Sequence, residues 1–210
     1  MRWEGRSTHV TGFVDAARMW AAADDWQRAA GWSDADFWWA MGGPIRFVFA
    51  DASPVTADRR RLLGTYDPRR RVLTANCWTY EFGETAGRRN IVHELAHAWD
   101  QQSGYQLSRK IARLPGPHAS WYAAAGRFED FAESVAATIY GPEPGYENFA
   151  VPDRDGHLTR LEYVQRSFAM YRGAGHAGWR RPGGLRAWLA WRIGQRQSRR
   201  TPPGIEQPPP

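Results

Sequence analysis

Two histidines four residues apart are the feature of this 210-residue sequence that most directly suggests chemistry. They are His93 and His97, in the stretch NIVHELAHAWDQQ at residues 90–102. Four residues along an α-helix turn about 400°, so both imidazoles would lie on one face and could bind a single zinc ion. Glu94 would lie beside the ion, where a carboxylate can accept a proton from a water polarised by the metal. The spacing therefore predicts an HExxH hydrolytic zinc site; the alternative is an amphipathic helix with two hydrogen-bonded histidines.

A catalytic zinc site needs a third protein ligand, which the HExxH motif does not supply. The long motif with a third histidine is excluded, because position 103 is Ser103. Asp100 lies on the same predicted helix as the histidines and cannot easily curl back to the ion. We expect it to bond a histidine N–H or a nearby backbone group instead. The remaining candidates are His118, His157, His176 and the acids of residues 126–141.

Two glutamates in the segment GRFEDFAESVAATIYG, residues 126–141, are four positions apart. A helix would place Glu129 and Glu133 on one face, where two carboxylates repel each other unless a cation lies nearby. A zinc ion bound by Glu129, with Glu133 behind it accepting a hydrogen bond from a histidine N–H, would remove that repulsion. The alternative is a solvated acidic stripe beside Arg127.

HELAHAWD followed by EDFAE resembles the zinc peptidase domain of anthrax-toxin lethal factor and of the Pro-Pro endopeptidases, in which an E-x-F-A-E helix follows the HExxH helix. The resemblance covers about residues 85–140 and implies that Glu129 is the third zinc ligand and Glu133 the second glutamate of the run. It also implies that Tyr122, seven residues before Glu129, stabilises the oxyanion together with zinc; the alternative is a core aromatic. Asp130 stands where the family often has an aromatic, and we interpret it as a change on an exposed helix face.

The rest of the chain predicts the elements that must position these residues. Helices are predicted over 12–30, where the sequence is Ala-rich, and over about 85–103, 127–140 and 158–172. A buried strand is predicted over 45–50, and two short strands over 61–76 with Arg69 to Arg71 exposed at their turn. Residues 31–44 are predicted to form a turn with an aromatic segment, and 104–120 a loop. By analogy with zinc peptidases, residues 71–77 are expected to form the edge strand that pairs with an extended substrate.

These elements predict an α+β fold. We expect a zincin-like single domain in which a small mixed or antiparallel sheet packs on the HExxH helix and on a second ligand-bearing helix, followed by a helical C-terminal part. This metallopeptidase domain is assigned to residues 1–179, with the N-terminal helix and sheet in 1–84, the catalytic helices in 85–141 and a C-terminal helix in 158–172. Residues 180–200 are predicted to form a basic amphipathic helix, and 201–210 a disordered Pro-rich tail.

Positive charge is concentrated at the C-terminal end. Residues 180–210 carry seven arginines and a single acid, Glu206, which accounts for the whole net charge of +6. The Arg-rich segment 180–200 could therefore bind an acidic partner, nucleic acid or a membrane surface. Alternatively, it is a terminal helix docked on the domain with its arginines solvated.

Composition excludes several classes of protein. A hydrophobic fraction of 42% with 14% aromatics excludes a disordered chain, and the single cysteine, Cys77, cannot form an internal disulfide. The N-terminus lacks the apolar core of a secretory signal, and no run approaches the ~20 apolar residues of a membrane span. We therefore expect a cytoplasmic protein, or one exported or packaged in a particle without a leader.

The function predicted from these observations is a zinc-dependent endopeptidase that acts on a peptide or protein substrate. The alternative is a catalytically inactive zincin-fold module with a structural or binding role in a particle or secretion assembly.

Overall fold

The structure is a computed structural model that describes residues 13–50, 64–152 and 156–174. The α-helices within these ranges are α1 (Phe13–Ala30), α2 (Asp34–Ala40), α3 (Glu84–Gln102), α4 (Gln106–Ile111), α5 (Arg127–Tyr140) and α6 (Arg160–Tyr171). The strands are β1 (Arg46–Ala50), β2 (Gly64–Asp67) and β3 (Val72–Asn76). Short 3₁₀ segments span Cys77–Phe82, Tyr122–Ala125 and Glu147–Ala150. The arrangement is α+β, with a small mixed sheet packed against helices, as predicted.

The strands form one sheet in the order β1–β3–β2. β1 is parallel to β3, with Phe47 opposite Leu73, and β2 is antiparallel to β3, with Tyr66 opposite Leu73. β3 is therefore the central strand, and the prediction that residues 71–77 form an edge strand is wrong. Within the described ranges β2 lies at an edge of the sheet and contacts α3. The local sequence pattern could not reveal this order, because β1, which pairs with β3 on the side opposite to β2, is distant from β3 in the sequence.

Asp67 builds the turn between β2 and β3. Its Oδ1 accepts hydrogen bonds from the backbone N–H groups of Arg69 (2.8 Å) and Arg70 (3.1 Å), and both arginines are exposed as predicted. Arg71 is half-buried instead: its φ is 54°, and its Nη2 donates to two carbonyl oxygens that follow α2, each at 2.8 Å. The arginine is drawn inward because its guanidinium bonds backbone carbonyls of the turn between α2 and β1.

The central helix of the described fold is α3, which packs against α1 and α5. Its fully buried Trp99 has its ring centroid 5.6 Å from that of Trp26 and 5.3 Å from that of Trp32. Phe168 of α6 stacks on the same ring at 5.6 Å. This aromatic core anchors the face of α3 opposite to the histidines.

α3 ends at a Schellman motif, next to the glycine that the sequence predicts as its break. Gly104 has φ 69° and its N–H donates to the carbonyl of Gln101 (3.0 Å), while the N–H of Tyr105 donates to that of Asp100 (2.8 Å). Residues 106–111 then form α4, so the prediction of a continuous loop over 104–120 is wrong there. This short helix escaped prediction because six residues give too little periodicity to recognise.

Two capping boxes set helix starts that the hydrophobic pattern left imprecise. The aromatic segment predicted within 31–44 forms α2, where the N–H of Asp36 donates to Ser33 Oγ (3.2 Å) and Asp36 accepts from the N–H of Ser33 (3.1 Å). α6 begins two residues after the predicted start because Thr159 caps it in the same way with Glu162.

Asp130 is buried, contrary to the prediction of an exposed position. Arg160 donates to it twice, from Nε to Oδ1 at 2.8 Å and from Nη2 to Oδ2 at 3.1 Å, and the two residues are 2% and 4% exposed. Arg160 Nη1 also donates to the carbonyl of Gly116 at 2.8 Å. The ion pair thus joins α5, α6 and the segment before Tyr122. The prediction failed because the arginine that neutralises Asp130 lies 30 residues further along the chain.

Other predictions concern residues outside the described ranges: the basic helix within 180–200, the tail 201–210 and His176. These, and the assignment of domain boundaries, stay predictions. Among the described helices, none combines the length and apolar character that crossing a bilayer requires.

Candidate metal centre

His93 and His97 lie one turn apart on α3 and face the same side. Their Nε2 atoms are 3.1 Å apart, and their ring centroids are separated by 4.8 Å. His93 is buried and His97 half-buried. The pair therefore presents two ring nitrogens to one point beside the helix.

α5 brings Glu129 to the same point. Its Oε2 lies 3.0 Å from Nε2 of His93 and 3.4 Å from Nε2 of His97. With the nitrogen–nitrogen distance of 3.1 Å, the three atoms form a nearly equilateral triangle. Ligands held tetrahedrally at about 2.0–2.1 Å from zinc lie about 3.3 Å from one another, so the triangle fits such an ion. In the part of the chain that the structure describes, this is the only His/Cys/Asp/Glu group that could hold a metal ion.

The electrostatics of this group favour a positive charge. Burial by itself lowers the pKa of His93, but hydrogen bonds to Glu129 and Glu133 outweigh burial and raise the pKa to about 10. Glu129 shows the reverse: burial raises its pKa, while the two histidines outweigh burial and lower it. Carboxylates that hold a proton so firmly on His93 create a negative potential that also attracts a metal cation, and a metal would compete with that proton.

Glu133 lies behind His93. Its Oε1 is 2.7 Å from His93 Nδ1, and its Oε2 accepts a hydrogen bond from Arg89 Nη2 at 3.2 Å. Burial raises the pKa of Glu133, but the hydrogen bond to His93 and the charges of His93 and Arg89 outweigh burial and lower the pKa to about 2. Sequence reasoning missed Arg89, although its position four residues before His93, on the same helix face, was a usable signal.

Glu94 lies in the same cleft and is 5% exposed. Burial raises its pKa, and the neighbouring His93 and His97 only partly oppose this. β2 crosses directly over it, since a Cβ added at Gly64 would lie 2.9 Å from Glu94 Cγ. A glycine at this position therefore lets the strand approach the carboxylate closely, a second feature that sequence reasoning missed.

Tyr122 begins the 3₁₀ segment before α5. Its ring centroid lies 6.0 Å from that of His93, and the residue is 38% exposed. Partial burial raises the pKa of its hydroxyl, and the carboxylates of Glu129 and Glu94 raise it further. The hydroxyl therefore stays protonated and can donate a hydrogen bond into the cleft.

Asp100 does not belong to the metal-binding triangle. It is buried near the end of α3, where its Oδ1 accepts hydrogen bonds from the N–H of Ser108 (3.0 Å) and from Ser103 Oγ (3.3 Å). Burial raises its pKa, and the hydrogen bonds from the two serines partly oppose this. Its bonding links α3 to α4.

The other candidate ligands lie elsewhere. His118 Nδ1 is 3.0 Å from Asp130 Oδ1, so this histidine belongs to the buried ion pair with Arg160. His157 is exposed just before α6 and is not part of the metal-binding group.

The site opens into a cleft of about 990 Å³ that follows α3. Tyr66 of β2 ties the edge strand to this helix, since its hydroxyl donates to Gln101 Oε1 at 2.8 Å. Exposed aromatics line the cleft, among them Phe82, Trp121 and Phe128. The arrangement provides a group that could bind a metal ion, a buried carboxylate beside it and a cleft large enough for a polymeric ligand.

Comparison of the chain with models of protein families, with curated proteins and with solved structures finds no match. The class of site that the structure supports is a His-His-Glu group, carried by two helices of an α+β fold, that could hold a metal ion. The likeness to lethal factor and the Pro-Pro endopeptidases therefore depends on the motif residues alone.

Proposed function

We propose that the protein is a zinc-dependent endopeptidase with a zincin-like catalytic domain. The observation that carries this proposal is the triangle formed by the Nε2 atoms of His93 and His97 and Oε2 of Glu129. Its sides measure 3.0–3.4 Å, and the buried Glu94 lies beside it. Three protein ligands with a fourth position left for water are typical of catalytic rather than structural zinc sites. The HExxH and E-x-F-A-E motifs support the same assignment.

Each residue of the site then has a chemical role. Zinc, when bound, would supply a water of lowered pKa and polarise the peptide carbonyl. Glu94 accepts the proton of the attacking water, and its raised pKa suits it to pass that proton on to the leaving amine. The Tyr122 hydroxyl donates a hydrogen bond to the developing oxyanion. Glu133 holds His93 Nδ1–H, which fixes the orientation of the ligand ring.

The substrate is an extended polypeptide that pairs with β2. An edge strand offers free backbone donors and acceptors to another chain, and β2 lines the cleft with Gly64 directly over Glu94. The main chain of the substrate would therefore pass between β2 and the metal-binding group. This assignment replaces residues 71–77, which lie in the centre of the sheet.

Metal analysis of purified protein tests the proposal. We expect wild type to hold one zinc per chain and Glu129→Ala to lose it, because two imidazoles alone bind zinc far more weakly than three ligands do. Glu143→Ala is the matched control: this glutamate lines the same cleft but is not part of the triangle, so zinc should be retained.

Zinc in both Glu129→Ala and wild type would contradict the ligand assignment. Stoichiometric zinc in wild type without cleavage of any peptide in a broad library would instead favour the inactive binding module.

A further inference from the structure

Tyr105 has a backbone conformation that is unfavourable for its side chain. Its φ is 61° and its ψ 26°, in the left-handed region that glycine or asparagine usually occupies. It follows Gly104, which is also left-handed. Non-glycine residues in this region cluster at functional sites, where the surrounding structure compensates their strain. The conformation therefore raises the question of what the tyrosine ring does.

The ring of Tyr105 packs against that of Phe128 at the side of the cleft. Their centroids are 5.4 Å apart with an interplanar angle of 70°, an edge-to-face contact. Phe128 directly precedes the metal-binding Glu129 and is 38% exposed. The two rings, contributed by α4's start and α5's first turn, therefore form an apolar surface next to the metal-binding group.

Tyr66 of the edge strand lines the same cleft, close enough to Tyr105 for the two side chains to interact electrostatically. Its hydroxyl is held by Gln101 Oε1 at 2.8 Å, so its ring is fixed in place. We call Tyr66, Tyr105 and Phe128 the aromatic wall. The opposite end of the cleft, along the N-terminal half of α3, also has an exposed aromatic, Phe82, but adds the charged Arg89 and Glu143. The two ends thus differ in the side chains that they can receive.

We propose that the aromatic wall receives a large apolar side chain of the substrate, at a position adjacent to the scissile bond, and that Tyr105 is a specificity-determining residue. This inference rests on the proposed peptidase function. In a substrate strand paired with β2, successive side chains point to opposite faces, so every second side chain points to the same face. The aromatic wall lies beside the point where the scissile carbonyl would meet the metal-binding group. Burial of an extended aliphatic or aromatic side chain against three rings stabilises the bound peptide.

Peptides that differ at one position test the inference. A peptide cleaved by the zinc-loaded protein is varied next to the scissile bond from Leu or Phe to Ala, and kcat/KM is measured for each. For wild type we expect a preference of about 10-fold or more for the large residue. Tyr105→Gly and Phe128→Ala should reduce this ratio several-fold, whereas Tyr105→Phe, which keeps the ring, should preserve it. Tyr105→Gly relieves the backbone strain, so a loss of fold does not obscure the result.

Met170→Ala serves as the control for loss of an exposed apolar residue. It lies on α6, is 63% exposed and does not line the cleft, so the ratio should not change. An unchanged ratio in Tyr105→Gly, or an equal loss in Tyr105→Phe, would overturn the inference.

Binding of fluorescently labelled peptides that differ only in carrying Leu, Phe or Ala at one position, whether or not wild type cleaves them, to zinc-loaded Glu94→Gln provides a readout that does not need turnover. If wild type cleaves nothing but labelled peptides bind with the predicted preference, the peptidase proposal fails and the aromatic wall stands. If neither cleavage nor binding discriminates between large and small residues, the wall is not a specificity site.

Discussion

At the scale of single residues, His93 uses both of its ring nitrogens. Nδ1 is bonded to Glu133, while Nε2 faces Glu129 and His97. Because Glu133 accepts a hydrogen bond from Nδ1–H, a metal that displaces the proton from Nε2 would find the lone pair of that nitrogen directed at it. Arg89 keeps the carboxylate of Glu133 ionised from its other side. The ligand is therefore oriented by the protein itself.

Replacing Glu94 with Gln should keep the metal and remove turnover. The amide has nearly the shape of the carboxylate but cannot accept the proton of the attacking water, so kcat should fall by about 10²-fold or more. Zinc content measured on the same preparation separates loss of chemistry from loss of the site. Hydrolysis by Glu94→Gln at the wild-type rate would refute the general-base assignment.

The residues of the site differ in how far a sequence can predict them. His93 and His97 follow from helix geometry, because four residues always bring two side chains to one face. The role of Glu129 depends on a contact between two helices that are distant in sequence, and only the motif in the second helix indicated it. Gly64 has no local signal at all, because its importance depends on which strand crosses Glu94.

At the scale of secondary-structure elements, the position of Glu129 depends on how α5 is held. Asp130, the next residue, is fixed by two hydrogen bonds from Arg160 of α6, and Arg160 also binds the carbonyl of Gly116. The first turn of α5 is thus fixed to α6 and to the segment that leads to Tyr122. A buried pair of this kind determines the rotation of α5 about its axis, and hence where Glu129 points.

We expect Asp130→Ala to lower the free energy of unfolding by about 3–5 kcal/mol, because it leaves the buried Arg160 without its counter-charge. Urea unfolding monitored by circular dichroism measures this change. Glu84→Ala is the matched control: its pair with Arg18 also joins two helices but has side chains 57% and 27% exposed, so its loss should cost less than about 1 kcal/mol. Equal effects of the two substitutions would show that the buried pair has no special weight.

Helices were easier to predict than the sheet. α5 extends over the residues that the sequence predicts, and α3 differs from the prediction by one residue at each end, because both carry a regular apolar face and end beside a glycine. The hairpin of β2 and β3 was also visible, since its turn is local. The order of the sheet was not, because the pairing of β1 with β3 connects segments on either side of residues 51–63. The edge of the sheet was therefore assigned to the wrong strand.

At the scale of the whole molecule, the buried Tyr163 ties two helices together from within the core. Tyr163 of α6 is 9% exposed, and its hydroxyl donates to the carbonyl of Leu107 in α4 at 3.2 Å. Burial raises its pKa to about 12, a shift that the hydrogen bond with Ser167 only partly opposes. The folded protein thus keeps this hydroxyl protonated where the unfolded chain ionises it.

Stability should therefore decrease as the pH rises from about 10, where an unfolded tyrosine loses its proton, to about 12. Across this range the unfolded chain binds fewer protons than the folded one, so unfolding becomes more favourable with each increment of pH. Tyr163→Phe should make the decrease less steep, as measured by urea midpoints at pH 9 and 11. The urea midpoints at pH 7 give the effect of losing the hydroxyl group itself. If the midpoint decreased with pH equally in wild type and in Tyr163→Phe, the prediction would be wrong.

The two sides of α3 are under separate structural constraints. Trp99 on the inner side is packed among other large rings, where almost any exchange would leave a void or a clash. The outer side faces the cleft, whose aromatic wall is contributed by β2, by the junction of α3 and α4 and by the start of α5. Directed evolution of new selectivity would therefore be best aimed at Tyr105 and Phe128, which border the cleft and can be varied while the tryptophan-rich interior stays as it is.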